Sequence, residues 1–233
     1  MSDKDCSDDE VEGSVLGTKE YWETAYEKDL ENYQTTNNAG EIWFGRSCQD
    51  RIIKWIRDRS DIDRETCRIM DLGCGNGAMA MAMRQEGYKN VTGVDYAPSA
   101  IKLAKFVAEK RGVSDLHYQI CDILSEPSSA TINLQQCFDI LLDKGTYDAI
   151  GLMENGSKAR QIYKKNVIKL ICPSSSHRFL IIASCNSTKN ELLEIFEPEF
   201  TLVDEIVASN RIVFGGRSGN TVTTLVMKFG GNS

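Results

Sequence analysis

Between an apolar run, Cys67 to Leu72, and an alanine- and methionine-rich stretch that opens at Ala78 stands Asp71-Leu72-Gly73-Cys74-Gly75-Asn76-Gly77. The glycines let the backbone turn sharply and bring a ligand against the amides of a helix N-terminus. The segment therefore reads as strand, glycine loop and helix (Ala78 to Glu86), and a second apolar strand, Asn90 to Val94, closes a βαβ unit. The alternation continues. Pro98 sits at the first turn of a helix reaching Lys110, followed by a strand from Leu116 to Ile120. After a polar loop from Ser125 to about Gln136 come a strand (Phe138 to Leu142), a helix (Lys158 to Ile171) and a fifth strand (Arg178 to Ala183).

The end of the chain breaks this rhythm. Glu191 to Phe196 is helical in pattern, while Phe200 to Val207 and Thr221 to Phe229 read as strands joined across the glycine-rich Phe214 to Asn220 segment. Antiparallel strands need only a loop between them, so this pair completes a Rossmann-like, seven-stranded mixed α/β sheet with helices on both faces. Two helices precede it. Tyr21, Trp22, Ala25, Tyr26 and Leu30 share one face of a helix from Lys19 to Leu30 with Thr18 as N-cap, and Ile52, Ile53, Trp55 and Ile56 mark a second ending near Asp58.

The 233 residues, 41% hydrophobic, suffice for one substantial core, and residues 15–233 read as one domain. Much of the net charge of −7 lies in residues 1–12, where six acids face only Lys4. Such a stretch cannot offset its ordering entropy, so residues 1–14 are expected to be a disordered acidic tail. No basic stripe points to nucleic acid, and no run approaches the roughly 18–20 apolar residues of a membrane span. Without a basic and apolar leader, the expected location is the cytoplasm, with the nucleus also open, and the expected state is a monomer. The eight cysteines include no Cys-x-x-Cys pair and there are two histidines, so no metal is expected and the cysteines read as reduced, small apolar residues.

Asp95, 18 residues beyond Gly77, stands at the end of the second strand, where a carboxylate accepts bonds from ribose hydroxyls. The loop and this acid suit NAD as well, because Gly73-x-Gly75-x-x-Ala78 satisfies the relaxed dinucleotide fingerprint. S-adenosylmethionine is favoured by the larger set. Asp71 leads into the loop of Gly73, Gly75 and Asn76, and after the third strand Asp122 can accept from an adenine amino group while the Ile123 amide donates to the ring. One βαβαβ half followed by a terminal hairpin also suits a single nucleoside. An NAD enzyme or a nucleotide-binding module stays open on these residues alone.

Further pieces of sequence narrow the family: Gly17-Thr18-Lys19-Glu20-Tyr21-Trp22, Gly40-Glu41-Ile42-Trp43-Phe44-Gly45, Asp143-Lys144-Gly145-Thr146-Tyr147-Asp148-Ala149-Ile150, Ser184-Cys185-Asn186 and Phe214-Gly215-Gly216-Arg217-Ser218-Gly219-Asn220. With the glycine loop, they make the chain resemble class I S-adenosylmethionine methyltransferases nearly end to end. More narrowly, it resembles the lysine methyltransferases that modify translation elongation factor 1-alpha. The resemblance implies methyl transfer to the ε-amine of a lysine on that factor. Ser187 departs from the aromatic residue the family often places after Asn186, which removes a stacking role there. A small-molecule methyltransferase is the alternative.

In open α/β sheets ligands sit beyond the carboxyl ends of the strands, where Asp71, Asp95, Asp122, Asp143 and Asn186 are all expected. Asp143 and Tyr147 are the catalytic candidates, with Asp143 beside the donor methyl and orienting the substrate amine. That amine must be neutral to attack. Its reference pKa of about 10.4 is lowered by an apolar slot and raised by a nearby carboxylate. Trp43, Phe44, Tyr147 and Asn186 are candidates for the substrate side, and Trp22, with Tyr21 and Tyr26, for a cover over the cofactor. Core packing is the competing role for these aromatics. Arg46 could meet the cofactor carboxylate or be a surface arginine, and Arg217 could touch a protein substrate or sit in a plain hairpin loop.

Overall fold

The computed structural model describes residues 13–113, 115–125, 137–208, 212–214, 217–219 and 222–230. Its strands are β1 (Arg68–Leu72), β2 (Asn90–Asp95), β3 (His117–Ile120), β4 (Ile140–Lys144), β5 (Phe179–Ser184), β6 (Phe200–Glu205), β7 (Ile212–Phe214), β8 (Arg217–Gly219) and β9 (Thr223–Phe229). Seven of them form one sheet in the order β3-β2-β1-β4-β5-β9-β6, while β7 and β8 pair separately. β1 to β5 run parallel, and β9 lies antiparallel between β5 and β6. The expected mixed sheet and terminal antiparallel pair are both present.

The helices are α1 (Lys19–Thr36), α2 (Gly45–Arg57), α3 (Ala78–Gln85), α4 (Pro98–Lys110), α5 (Thr146–Gly151), α6 (Gly156–Leu170) and α7 (Lys189–Phe196). Strand alternation divides the core between the two faces of the sheet. Ile69, Ile140, Leu142 and Ile181 pack with Leu30, Ile52, Met79 and Leu103 from α1 to α4. Met70, Leu72, Leu141 and Leu180 pack with Tyr147, Tyr163, Val167 and Phe196 from α5 to α7.

Several boundaries differ from the sequence reading for local reasons. The first helix runs on to Thr36, because Tyr33 is buried edge-on against Phe106 of α4 with ring centroids 5.7 Å apart. α2 begins at Gly45, well before Ile52, since its first turns carry polar residues and bury Cys48 and Gln49. α5 was not expected at all. Neither were the β7–β8 pair and a short 3-10 turn, Val15–Gly17. Of the expected acidic tail, residues 1–12 lie outside the described residues. Ser14 is packed, donating its amide to Leu152 O at 2.9 Å. Most of the polar loop, at 126–136, also lies outside them, as do Gly215, Gly216 and Asn220, so only the backbone of β8 is described around Arg217.

Candidate active site

The strand order reverses at β1 and β4, with β2 and β3 to one side and β5 to the other, and the diverging crossovers leave a crevice beyond the carboxyl ends. A cleft of about 660 Å³ occupies it. Its floor is Gly73 to Asn76, one side is Asp95 at the end of β2 with Tyr96 after it, and the other is Lys144 to Thr146 with Ala149 of α5. Trp22 and Tyr26 of α1 and the segment Glu41 to Trp43 form the outer wall.

The floor is shaped by glycine. Gly73 and Gly75 adopt φ of 63° and 51°, in the left-handed region that disfavours other residues. A Cβ on Gly73 would collide with Thr146 Oγ1, and one on Gly75 would stand 2.6 Å from the Tyr26 hydroxyl. Thr146 Oγ1 donates to Leu72 O at 2.8 Å, tying α5 to the loop. Asn76 ties the wall to it as well: its side-chain amide donates to Ala39 O at 3.0 Å and Glu41 O at 3.3 Å.

Asp95 is 5% exposed, and its two oxygens accept from the amides of Gly75 and Ala97, each at 3.0 Å. A carboxylate has about four acceptor sites, so capacity remains on the side facing the cleft. Burial pushes its pKa up to about 6, with those two amides acting in the opposite direction. Asp71 lies behind the loop, outside the cleft lining. One of its oxygens, Oδ2, has no partner among the described residues, and burial pushes its pKa up to about 7 while Lys144 opposes the shift. Among the described residues Lys144 is the one cation lining the cleft; it donates to Trp43 O at 3.0 Å and is lowered from the usual ammonium range by burial.

Seven of the sequence candidates, Trp22, Tyr26, Trp43, Gly73, Gly75, Asn76 and Asp95, meet at the cleft. The others do not line it. Asp143 is 1% exposed and points to the opposite face of the sheet: Tyr163 donates its hydroxyl to Oδ2 at 2.6 Å, and the amides of Thr146 and Tyr147 bond the carboxylate at 3.0–3.2 Å. Burial pushes its pKa up to about 7 against these bonds. Tyr147 is fully buried against Tyr163 and Phe196, with Arg160 over its ring. Phe44 covers the turn at Gly145, its ring 3.3 Å from where a Cβ would stand. Asp122 pairs with Lys19, which also lies 5.5 Å over the ring of Tyr96, and accepts from Leu124 N at 3.0 Å. Ile123 is buried, with its carbonyl bonded by Asn166. Asn186 is exposed beyond β5, its amide held by Ser184 Oγ at 3.3 Å, and Arg46 is exposed beside Asp50 and Lys54, apart from the cleft.

Glu41, Tyr96 and Lys144 were missed as cleft residues, although Glu41 and Lys144 stand inside quoted motifs and Tyr96 follows Asp95. Among the described residues no cluster of His, Cys, Asp or Glu could hold a metal ion, and no helix is long and apolar enough to cross a membrane.

The donor set fits a nucleoside with an amino-acid arm: a buried acid with spare acceptor capacity for hydroxyls, a glycine floor and an aromatic wall. A methyltransferase-domain family model matches residues 63–230. The chain is 39% identical over 216 residues to EEF1A lysine methyltransferase 2 of Danio rerio, covering 92% of this chain and 88% of that protein. It is 32% identical to the protein-lysine N-methyltransferase efm4 of Schizosaccharomyces pombe, over 92% of this chain and 94% of the other. The solved N-methyltransferase NodS of Bradyrhizobium japonicum, in complex with S-adenosyl-L-homocysteine, shares the fold with a TM-score of 0.63 at 14% identity, covering 90% of this chain and 99% of NodS. The chain therefore belongs to the methyltransferase-domain family and, within it, to the group that holds EEF1A lysine methyltransferase 2 and efm4.

Proposed function

We propose that this chain is an S-adenosylmethionine-dependent protein-lysine N-methyltransferase whose substrate is translation elongation factor 1-alpha. The observation that carries this reading is 39% identity to EEF1A lysine methyltransferase 2 over 92% of a chain that also forms the glycine-floored cleft. When bound, the donor supplies a methyl group on a positively charged sulfur. Every other requirement falls to the protein.

Asp95 receives the ribose hydroxyls on its free acceptor sites, and the amides of the glycine loop face the amino-acid arm. Asp122, held beside Tyr96 by Lys19, accepts from the adenine amino group, and the Ile123 amide donates to the ring. Trp22, Tyr26 and Trp43 give the site aromatic faces that favour cationic groups. Trp43 and Phe44, with Asn186 beyond β5, form the acceptor side. Transfer to nitrogen needs a free lone pair in line with the methyl, so positioning carries much of the catalysis. Asp143 and Tyr147 act one step removed, as positioning residues. Asp143 caps α5, whose Thr146 fixes the loop and whose Ala149 lines the cleft. The enzyme works in the cytoplasm as a monomer, with its acidic N-terminal residues as a solubilising tail.

The test is mass spectrometry of elongation factor 1-alpha from cells with and without this protein. Loss of methylation at one lysine is expected. Unchanged lysine methylation, with label from the donor confined to small metabolites, would turn the reading toward a small-molecule substrate.

A further inference from the structure

A lysine side chain arriving at the cleft carries a positive charge until shortly before it reacts, so something at the mouth must receive an ammonium group. Asp143, the acid expected there from sequence, is enclosed by Tyr163 and the start of α5. Asp95 stands at the donor end, bonded by the amides of Gly75 and Ala97, and Asp122 is paired with Lys19. Glu41 is different. It lines the cleft, is exposed, and among the described residues its carboxylate has no hydrogen bond or ion pair.

The backbone beneath Glu41 is fixed. Asn76 from the glycine loop bonds the Glu41 carbonyl, Gly40 takes a φ of 80° against the Asp29 side chain, and Gly45 N closes the following turn onto Ile42 O at 2.8 Å. An exposed carboxylate is thereby held next to Ile42 and the 38%-exposed Trp43, on a segment fastened directly to the donor-binding loop. The other titratable groups around the cleft are Tyr26 from α1, Cys74 in the loop, Asp95 at the end of β2 and Tyr96 after it, and Lys144 on β4, with Asp29 beneath Gly40. Among the described residues Asp29 also lacks a hydrogen bond or ion pair, but it lies beneath Gly40 and outside the cleft lining, so Glu41 is the unpartnered acid at the mouth.

We propose that Glu41 receives and orients the ammonium group of the incoming lysine and so sets the preference for a cationic acceptor side chain. This rests on the lysine methyltransferase reading above. Glu41 holds the ammonium at the mouth, and the proton leaves to bulk water as the nitrogen moves past Trp43. The nitrogen lone pair then forms the new N–C bond while the donor C–S bond breaks with its electrons remaining on sulfur. A nearby carboxylate favours the charged amine, so Glu41 aids capture and opposes deprotonation, a balance that leaves a kinetic signature.

The test compares wild type with Glu41→Gln and Glu41→Asp on purified elongation factor 1-alpha across pH, with S-adenosyl-L-homocysteine affinity measured by calorimetry. Glu41→Gln is expected to raise KM for the protein substrate roughly tenfold, the scale of a hydrogen bond to a charged group. It should also move the acidic limb of the kcat profile to lower pH, because removing the anion lowers the pKa of the bound amine. Homocysteine-product affinity should hold, and Glu41→Asp should recover part of KM. Unchanged KM and pH profile in Glu41→Gln would overturn the proposal, as would a parallel fall in product affinity, which would place Glu41 on the donor. A wild-type protein that binds the product but leaves the elongation factor unmethylated would overturn the underlying reading, and the proposal with it.

Discussion

Asp95 and Asp143 stand at the ends of the two strands that flank β1, both almost fully buried, both pushed up in pKa by burial, yet they face different worlds. Asp95 meets backbone amides with one part of its carboxylate and the cleft with the rest. Asp143 is enclosed on every side, by Tyr163 and by the first amides of α5. An acid at a strand end is therefore not a site residue by position alone. What separates the two is parity along the strand. Asp143 shares its face with Leu141 and points toward α6, whereas Lys144, on the face of Ile140 and Leu142, turns to the cleft.

The comparison breaks most sharply at Asp143→Ala, which strands the Tyr163 hydroxyl and the helix amides. A stability loss of about 3 kcal/mol is expected from several unsatisfied buried donors, read as a lower urea midpoint. Wild-type stability with abolished turnover would instead move Asp143 into the reaction. Asp95→Ala should do the reverse, weakening S-adenosyl-L-homocysteine binding by about 1–3 kcal/mol in calorimetry with a smaller change in stability. Unchanged affinity would remove Asp95 from the site.

A third prediction concerns pH. The folded pKa values of Asp71, Asp95 and Asp143, about 7, 6 and 7, lie above the unfolded value of an aspartate. The folded state thus binds these protons more tightly, so their contribution to stability rises as pH falls from about 7 toward 4. Product affinity should move the other way, falling as Asp95 takes up its proton near pH 6, because ribose hydroxyls need an acceptor. Unfolding and calorimetric titrations between pH 5 and 8 separate the two trends, and Asp95→Ala should flatten the affinity trend near 6. The smallest effect is expected at Lys19→Met. Its pair with Asp122 is solvent-exposed, so product affinity should fall by less than about 1 kcal/mol, and less again in high salt.

The sheet was legible because its signals are local and redundant. Pro98 and Lys110 bound α4 as expected, and the glycine loop fixed β1, α3 and their order. The donor end of the cleft was readable for the same reason, with Gly73, Gly75, Asn76 and Asp95 all within one βαβ unit. The acceptor end draws on α1, the 39–45 segment, β4 and α5, and no single stretch announces that assembly. The misplacement of Asp143 there has one root. α5 is six residues long, too short to show a helical period, and without it the amides of Thr146 and Tyr147 that bond Asp143 are invisible. The alternation of Leu141, Leu142, Asp143 and Lys144 nevertheless held the clue that Lys144, and not Asp143, faces the cleft.

The central claim is that a methyl group passes from a donor on the Gly73–Gly75 loop to a lysine of elongation factor 1-alpha. The most direct measurement is high-resolution mass spectrometry of purified elongation factor after incubation with S-adenosylmethionine and either wild type or Asp95→Ala. Methylation at one lysine by wild type, sharply slowed in the variant at limiting donor, is the predicted result. No methylated lysine with wild type, or equal rates for the two proteins at limiting donor, would contradict it.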